Sequence, residues 1–242
     1  MTAATVELSV VIPAYNEARR LPPTLERLRA FLDARGGTYE IVVVDDGSQD
    51  GTAEAARAAG GSVTRVLVSP RNRGKGHAVR QGMLAARGAR RLMCDADLST
   101  PIEQLALLEA PLDEGYDVAI GSRAISGAQV EVRQTGFREN AGRFFNLAVR
   151  LLALPDVRDT QCGFKLFSAA AAEGAFRVAR LDGFAFDVEA LFLARRQGRR
   201  MAEVPVVWRN DPASRVSFGK GARAFVEIAA VRWHALLGRY DG

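Results

Sequence analysis

Two stretches of this chain, Val10-Val11-Ile12 and Ile41-Val42-Val43-Val44, are apolar without a break. A strand with one face in water alternates apolar and polar residues, so an unbroken run belongs to a strand covered on both faces, as in a parallel sheet flanked by helices. The surrounding sequence supplies such a sheet. Strand-like runs at Leu8–Pro13, Glu40–Val44, Val63–Ser69, Arg90–Cys94 and Asp117–Gly121 alternate with helical patterns at Pro22–Arg35, Gly51–Ala59, Gly76–Arg87 and Pro101–Asp113. That order produces parallel strands joined by crossover helices. The strands carrying the two unbroken runs are expected inside the sheet.

After Arg123 the alternation stops. A polar stretch, Ala124–Thr135, is expected to form a mobile loop, followed by a helix over Arg138–Leu152. Phe164–Phe167 is expected as a strand, Phe186–Gln197 as a helix, Glu203–Trp208 as a strand and Ala222–Leu237 as an amphipathic helix. The expected architecture is one α/β domain over residues 1–242 with a mostly parallel central sheet. A nucleotide-binding half to about residue 123 and an acceptor-binding half from about residue 124 share that sheet.

With 242 residues, 48% of them hydrophobic, the chain can bury a large core. No run of about 18 uncharged apolar residues occurs, and the N-terminus lacks a secretory pattern, so the expected location is cytoplasmic. Cys94 and Cys162 are the only cysteines, too few for a disulfide framework. The net charge of +5 suits an anionic partner. No basic run interleaved with aromatics, zinc-finger spacing or RNA-binding motif is present, so nucleic acid is not the expected one.

Parallel sheets hold ligands beyond the carboxyl ends of their strands. Here those ends read Pro13-Ala14-Tyr15-Asn16-Glu17, Asp45-Asp46-Gly47-Ser48, Asp95-Ala96-Asp97 and Gly121-Ser122-Arg123. Asp95 and Asp97 are one residue apart, so on extended backbone their carboxylates point the same way. An isolated Asp-x-Asp is as often a solvated turn. At the end of an apolar strand, beside other acidic strand ends, the pair suits Mg²⁺ or Mn²⁺, which share their shells with substrate phosphates. Asp45 or Asp46 is placed to meet a base or ribose, while Asp50 or Ser48 caps the next helix. Asn72-Arg73-Gly74-Lys75-Gly76 opens a helix whose free N–H groups and dipole favour a phosphate, although a basic turn reads the same. Neither the P-loop nor the dinucleotide spacing is present. His77 and His234, the only histidines, lie in no triad or ligand pattern, so chemistry here rests on carboxylates, metal and arginines.

Taken together, Val11-Ile12-Pro13-Ala14-Tyr15-Asn16-Glu17, Val44-Asp45-Asp46-Gly47-Ser48, Asn72-Arg73-Gly74-Lys75-Gly76 and Asp95-Ala96-Asp97-Leu98-Ser99-Thr100-Pro101 resemble the family 2 glycosyltransferases with the GT-A fold. Gly121-Ser122-Arg123, Asp159-Thr160-Gln161-Cys162-Gly163-Phe164-Lys165-Leu166-Phe167, Phe186-Asp187-Val188-Glu189 and Glu203-Val204-Pro205-Val206 resemble its dolichyl-phosphate glucosyltransferase and mannosyltransferase branch. The resemblance implies an inverting hexosyltransferase. Its nucleotide-sugar donor would be held by Pro13, Ala14, Tyr15, Glu17, Asp45, Asp46, Lys75, Asp95 and Ala96, with Mg²⁺ or Mn²⁺ on Asp95 and Asp97. Asp97, Arg123 and Arg138 would be catalytic, and Arg123, Arg138, Arg143 and Gln161 would hold a polyprenyl phosphate. Leu98-Ser99-Thr100-Pro101 and Asp159-Thr160-Gln161-Cys162 favour UDP-glucose over GDP-mannose by the same analogy. Since the chain starts almost directly at its first strand, membrane contact is expected to be peripheral, at the inner face. The rival readings are a soluble acceptor, a non-catalytic nucleotide-sugar module and a nucleotidyltransferase, which would carry a Gly-rich, Arg-containing loop after the first strand.

Overall fold

The computed structural model describes residues 6–130, 149, 153–209 and 218–241, the stretch 218–225 as backbone only. Its centre is a seven-stranded sheet in the order β3-β2-β1-β4-β7-β5-β8. The strands are β1 (Leu8–Ala14), β2 (Tyr39–Asp45), β3 (Thr64–Val68), β4 (Arg90–Cys94), β5 (Val118–Ser122), β7 (Phe164–Ser168) and β8 (Met201–Pro205). All pair in parallel except β7, which lies antiparallel between β4 and β5. A separate two-stranded piece pairs β6 (Gln129–Val130) with β9 (Val207–Trp208). The two unbroken apolar runs fall on β1 and β2, each with a neighbour on both sides.

Successive strand residues point to opposite faces, and the helices cover both. Val10, Ile12, Ile41 and Val43 pack with Leu21, Leu25 and Leu28 of α1 (Leu21–Arg35) and with Leu105 and Leu108 of α4 (Leu105–Asp113). On the other face, Val11, Val42 and Val44 meet Val79 and Met83 of α3 (Lys75–Ala85), Phe176 of α5 (Ala169–Val178) and Leu191 of α6 (Phe186–Arg196). Each large side chain buried in this way contributes about 1.5–3 kcal/mol. Helix α2 (Thr52–Gly60) packs beside α1, and α7 (Phe218–Leu236) closes the second face through Ile228 and Val231.

The structure amends the expected elements at three places. The strand expected over Glu203–Trp208 divides at the buried Val206, whose N–H reaches Ser122 O at 3.2 Å. Beyond Ser122, β5 offers no further partner, and the chain turns to pair with Gln129–Val130. Helix α5 was not expected, although its alanines favour helix and Ser168 caps it by accepting from Ala171 N at 3.2 Å. The helix expected from Pro101 starts as a 3₁₀ turn, Ile102–Gln104. The helix expected over Arg138–Leu152 and the end of the polar loop lie outside the described residues, apart from Val149, which is buried.

Candidate active site

The carboxyl ends of β1, β2, β4 and β5 converge on one edge, and the turn after β4 is its centre. Asp95 N donates to Gly163 O at 3.2 Å, and Leu98 N to Asp95 O at 3.2 Å. Leu98 takes a left-handed φ of 47°, rare for a leucine, which tightens the turn. Asp97 Oδ1 accepts from Ser99 N at 3.0 Å, and Thr24 Oγ1 on α1 donates to Ala96 O at 2.7 Å. The turn that carries the two carboxylates is thus held by its own bonds and by a neighbouring helix.

Lys75 enters this site from the first turn of α3. Its Nζ stands 2.7 Å from Asp95 Oδ1, with the Phe186 ring 5.9 Å away. Burial works against its charge, but Asp95, Asp187 and Asp97 outweigh that and hold the ammonium firmly protonated. A positive group therefore already sits among the acidic ones.

The turn that carries Lys75 differs from the expected phosphate cradle. Arg73 N donates to Asp46 Oδ1 at 3.0 Å and Gly74 N to Asp46 Oδ2 at 2.7 Å. Gly76 N and His77 N both donate to Asp182 O, at 2.9 and 3.3 Å. These helix-opening N–H groups are consumed inside the protein, so the turn offers an anion the Lys75 side chain rather than a ring of amides. Asp46 is likewise committed to main chain. Burial pushes its carboxyl up, against the pull of the Gly74 and Arg73 N–H groups.

The loops after β1 and β2 are zipped to each other. Asn16 N donates to Ser48 Oγ, Glu17 N to Thr52 Oγ1 and Gln49 N to Asn16 Oδ1. Asp50 accepts from Ala18 N and Thr52 N, so it is structural as expected, but the residue at the cap of α2 is Gly51 and neither Asp50 nor Ser48. Asp45 is buried and accepts from Ser48 N at 2.9 Å. Pro13 and Ala14 end β1, Tyr15 stands exposed beyond them, and the Glu17 carboxylate pairs with Arg20 at 2.5 Å.

At the end of β5, Arg123 makes a two-pronged pair with Asp159, from Nε at 2.7 Å and Nη2 at 2.8 Å, while its backbone N–H adds a third bond at 2.9 Å. The guanidinium lies 5.3 Å from the centre of the Trp208 ring. Burial alone would raise the Asp159 carboxyl, but Arg123 overrides it and holds it below its usual range. Gln161 N also donates to Asp159, at 3.1 Å. Behind Asp95, Lys165 Nζ donates to Cys162 O at 2.6 Å and to Asp187 Oδ1 at 2.5 Å, both side chains being buried.

The structure therefore gathers Lys75, Asp95 and Asp97 into one group, with Arg123 and Gln161 across from it on the β5 side. Arg138 and Arg143 lie outside the described residues. Asp159, Lys165 and Asp187 carry structure at the site that sequence reasoning placed in motifs without assigning a role.

The family described as Glycosyl transferase family 2 matches residues 9–175. The dolichyl-phosphate beta-glucosyltransferase of Drosophila melanogaster is 41% identical over 230 residues, covering 88% of this chain and 70% of its own. That of Homo sapiens is 35% identical over 252 residues, covering 98% and 78%. Among solved structures, a Mycobacterium tuberculosis glucosyl-3-phosphoglycerate synthase in complex with Mn²⁺, UDP and phosphoglyceric acid superposes with a TM-score of 0.69 at 23% identity, over 98% of this chain and 79% of that one. The mannosyl-3-phosphoglycerate synthase of Rubrobacter xylanophilus gives 0.67 at 21% identity, over 97% and 75%. The α/β architecture with a mostly parallel sheet is the GT-A fold.

Proposed function

Because this chain belongs to glycosyl transferase family 2, we propose that it transfers glucose from UDP-glucose to a dolichyl-type polyprenyl phosphate with inversion at the anomeric carbon. The observation that carries this reading is the Lys75 ammonium lodged 2.7 Å from Asp95, two residues from Asp97, at the carboxyl end of β4. A cluster of acidic and basic groups of this kind suits a diphosphate and a divalent ion together.

The donor set fits Mg²⁺ or Mn²⁺ in its chemistry, since both carboxylates supply hard oxygen ligands. Among the described residues, no group of three or more His, Cys, Asp or Glu side chains is placed to hold a metal ion. Asp95 and Asp97 would hold it together with oxygens of the donor diphosphate and water. When bound, the ion supplies charge stabilisation for the departing diphosphate. Lys75 adds a second positive charge at the same oxygens. Pro13, Ala14, Tyr15, Glu17, Asp45, Asp46 and Ala96 border the donor side of this edge.

An acceptor phosphate oxygen then forms the new bond to the anomeric carbon as the bond to the nucleoside diphosphate breaks. The nucleophile is already anionic, so no general base is required, and rate comes from alignment. Asp159 occupies Nε and Nη2 of Arg123, which supports a fork fixed in plane whose Nη1 would meet the acceptor phosphate. Arg138, Arg143 and Gln161 complete the proposed acceptor side.

Peripheral membrane contact is part of the proposal. No described helix is long and apolar enough to cross a membrane. Yet Val226, Trp233, Leu236 and Leu237 are exposed on the side of α7 and its terminal turn opposite the buried Ile228 and Val231. With Arg232 and Arg239 nearby, that outward apolar stripe suits an anionic lipid interface. The test of the whole reading incubates the protein with a panel of nucleotide sugars, Mn²⁺ and a polyprenyl phosphate, and identifies any glycolipid by mass. Transfer to phosphoglycerate or another soluble acceptor, with none to lipid, would overturn the acceptor assignment.

A further inference from the structure

Asp182 lies in the segment between α5 and α6, in no motif that the sequence singles out, and it bonds both to the Lys75 turn and to α3. Its main-chain oxygen accepts from Gly76 N and His77 N. Its carboxylate takes Arg73 Nη2 at 3.0 Å and Arg80 Nη2 at 2.9 Å, one residue from before α3 and one from within it. The fit is close on the main chain too. A Cβ on Gly74 would lie 2.3 Å from Asp182 O, and one on Gly76 would lie 2.5 Å from Leu181 O.

The segment is itself anchored at both ends. Buried Glu189 accepts from Arg180 N and Leu181 N, and Glu227 Oε2 accepts from Ala185 N at 3.1 Å. Arg80 Nη1 adds a bond to Ala179 O at 3.0 Å. Asp182 is therefore a fixed point, and the turn bearing Lys75 is held between it and Asp46, which accepts from Arg73 N and Gly74 N. A flexible lysine gains little from charge alone unless its backbone is held, because the ordering of its side chain opposes binding.

We propose that Asp182 is a positioning residue, which locks the Asn72–Gly76 turn so that Lys75 is presented to the donor diphosphate. The proposal rests on the donor-site reading of Lys75 given above. Asp182→Asn keeps the main-chain acceptor but removes the pairs to Arg73 and Arg80, so it tests the carboxylate with little disturbance of the helix start.

The experiment is a double-mutant cycle on UDP binding, measured calorimetrically in saturating Mn²⁺ for the wild type, Asp182→Asn, Lys75→Met and the double variant, with melting temperatures as a check on folding. Because the ion pairs are partly exposed, Asp182→Asn is expected to weaken UDP by about 5- to 20-fold in the wild-type background. In the Lys75→Met background the same substitution is expected to cost less than about 2-fold, since nothing remains to be presented. If Asp182→Asn unfolds the protein, Arg80→Gln removes one of the pairs from the helix side and is read with the same expectations. Unchanged UDP affinity in Asp182→Asn beside a large loss in Lys75→Met overturns the positioning role alone, as does an equal loss in both backgrounds. Unchanged affinity in Lys75→Met overturns the donor-site reading and the positioning role with it.

Discussion

Gly163 stands directly against Asp95: a Cβ there would lie 1.8 Å from Asp95 Oδ2, while its carbonyl holds the Asp95 N–H at 3.2 Å. The carboxylate thus rests on the one residue type that leaves room for it, just before β7, the strand inserted between β4 and β5.

Gly163→Ala should displace the Asp95 carboxylate rather than unfold the chain, because that carboxylate is partly exposed and free to move. We expect kcat/KM to fall by about 10- to 100-fold, the Mn²⁺ concentration for half-maximal rate to rise, and the melting temperature to change little. Wild-type Mn²⁺ dependence in this variant would show that Asp95 is not held in a working position by Gly163.

Asp97→Ala should abolish turnover with the fold intact, since among the described residues the Asp97 carboxylate bonds only to the Ser99 N–H of its own turn. A loss of at least about 100-fold is expected from comparable deletions of charge stabilisation. Near-normal activity at saturating Mn²⁺ and UDP-glucose would remove Asp97 from the proposed metal site.

A divalent ion held by Asp95 as proposed would compete with Lys75, because the Lys75 ammonium lies 2.7 Å from the carboxylate. Lys75→Met should therefore tighten Mn²⁺ binding in the absence of nucleotide by about 3- to 10-fold, read as loss of the free-Mn²⁺ spin-resonance signal, while turnover falls. Unchanged or weaker Mn²⁺ binding would count against a shared place for the two cations.

Asp159 should make stability depend on acid. Arg123 overcomes the burial of its carboxyl and holds it below the usual range in the folded state. A depressed folded value stabilises the protein fully above pH about 4, and this contribution is lost as pH falls through the folded value. Asp159→Asn should cost about 2–4 kcal/mol at neutral pH, with a gap from wild type that narrows below pH about 4. Calorimetric melting at pH 7, 5 and 3.5 (trial conditions, about one carboxylate range apart) checks this, and a constant gap would contradict it.

Membrane contact through α7 should appear as salt-sensitive binding to anionic vesicles, with roughly 1 kcal/mol contributed by each basic residue near the surface. Replacing Trp233 and Leu236 by Ala should reduce sedimentation with those vesicles, and neutralising Arg232 and Arg239 should reduce its dependence on salt. Equal sedimentation with neutral and anionic vesicles would leave the exposed stripe without this role.

Much of the fold was legible because parallel strands covered on both faces leave unbroken apolar runs, and β4 was placed residue for residue at Arg90–Cys94. The direction of β7 was not, since a five-residue strand such as Phe164–Ser168 carries no sign of which way it runs. Helix α5 was missed although its signal was present, a serine followed by four alanines. At the site, Asp95 is legible from its strand end and Lys75 from the basic turn that opens a helix, but their pairing depends on a turn held from elsewhere. Arg73 and Asp182 are 109 residues apart in sequence, and no local pattern announces a contact between them.

The antiparallel insertion of β7 also bears on how the protein is made. Until Phe164–Ser168 has left the ribosome, β4 has no partner on one side and β5 cannot be joined to the sheet at all. An unpaired edge of that kind invites pairing with other chains, and distant contacts of this sort slow folding. The nascent chain therefore passes through a stage in which its donor-side strands are assembled and its acceptor-side strand is still unattached, and chaperone demand should peak there.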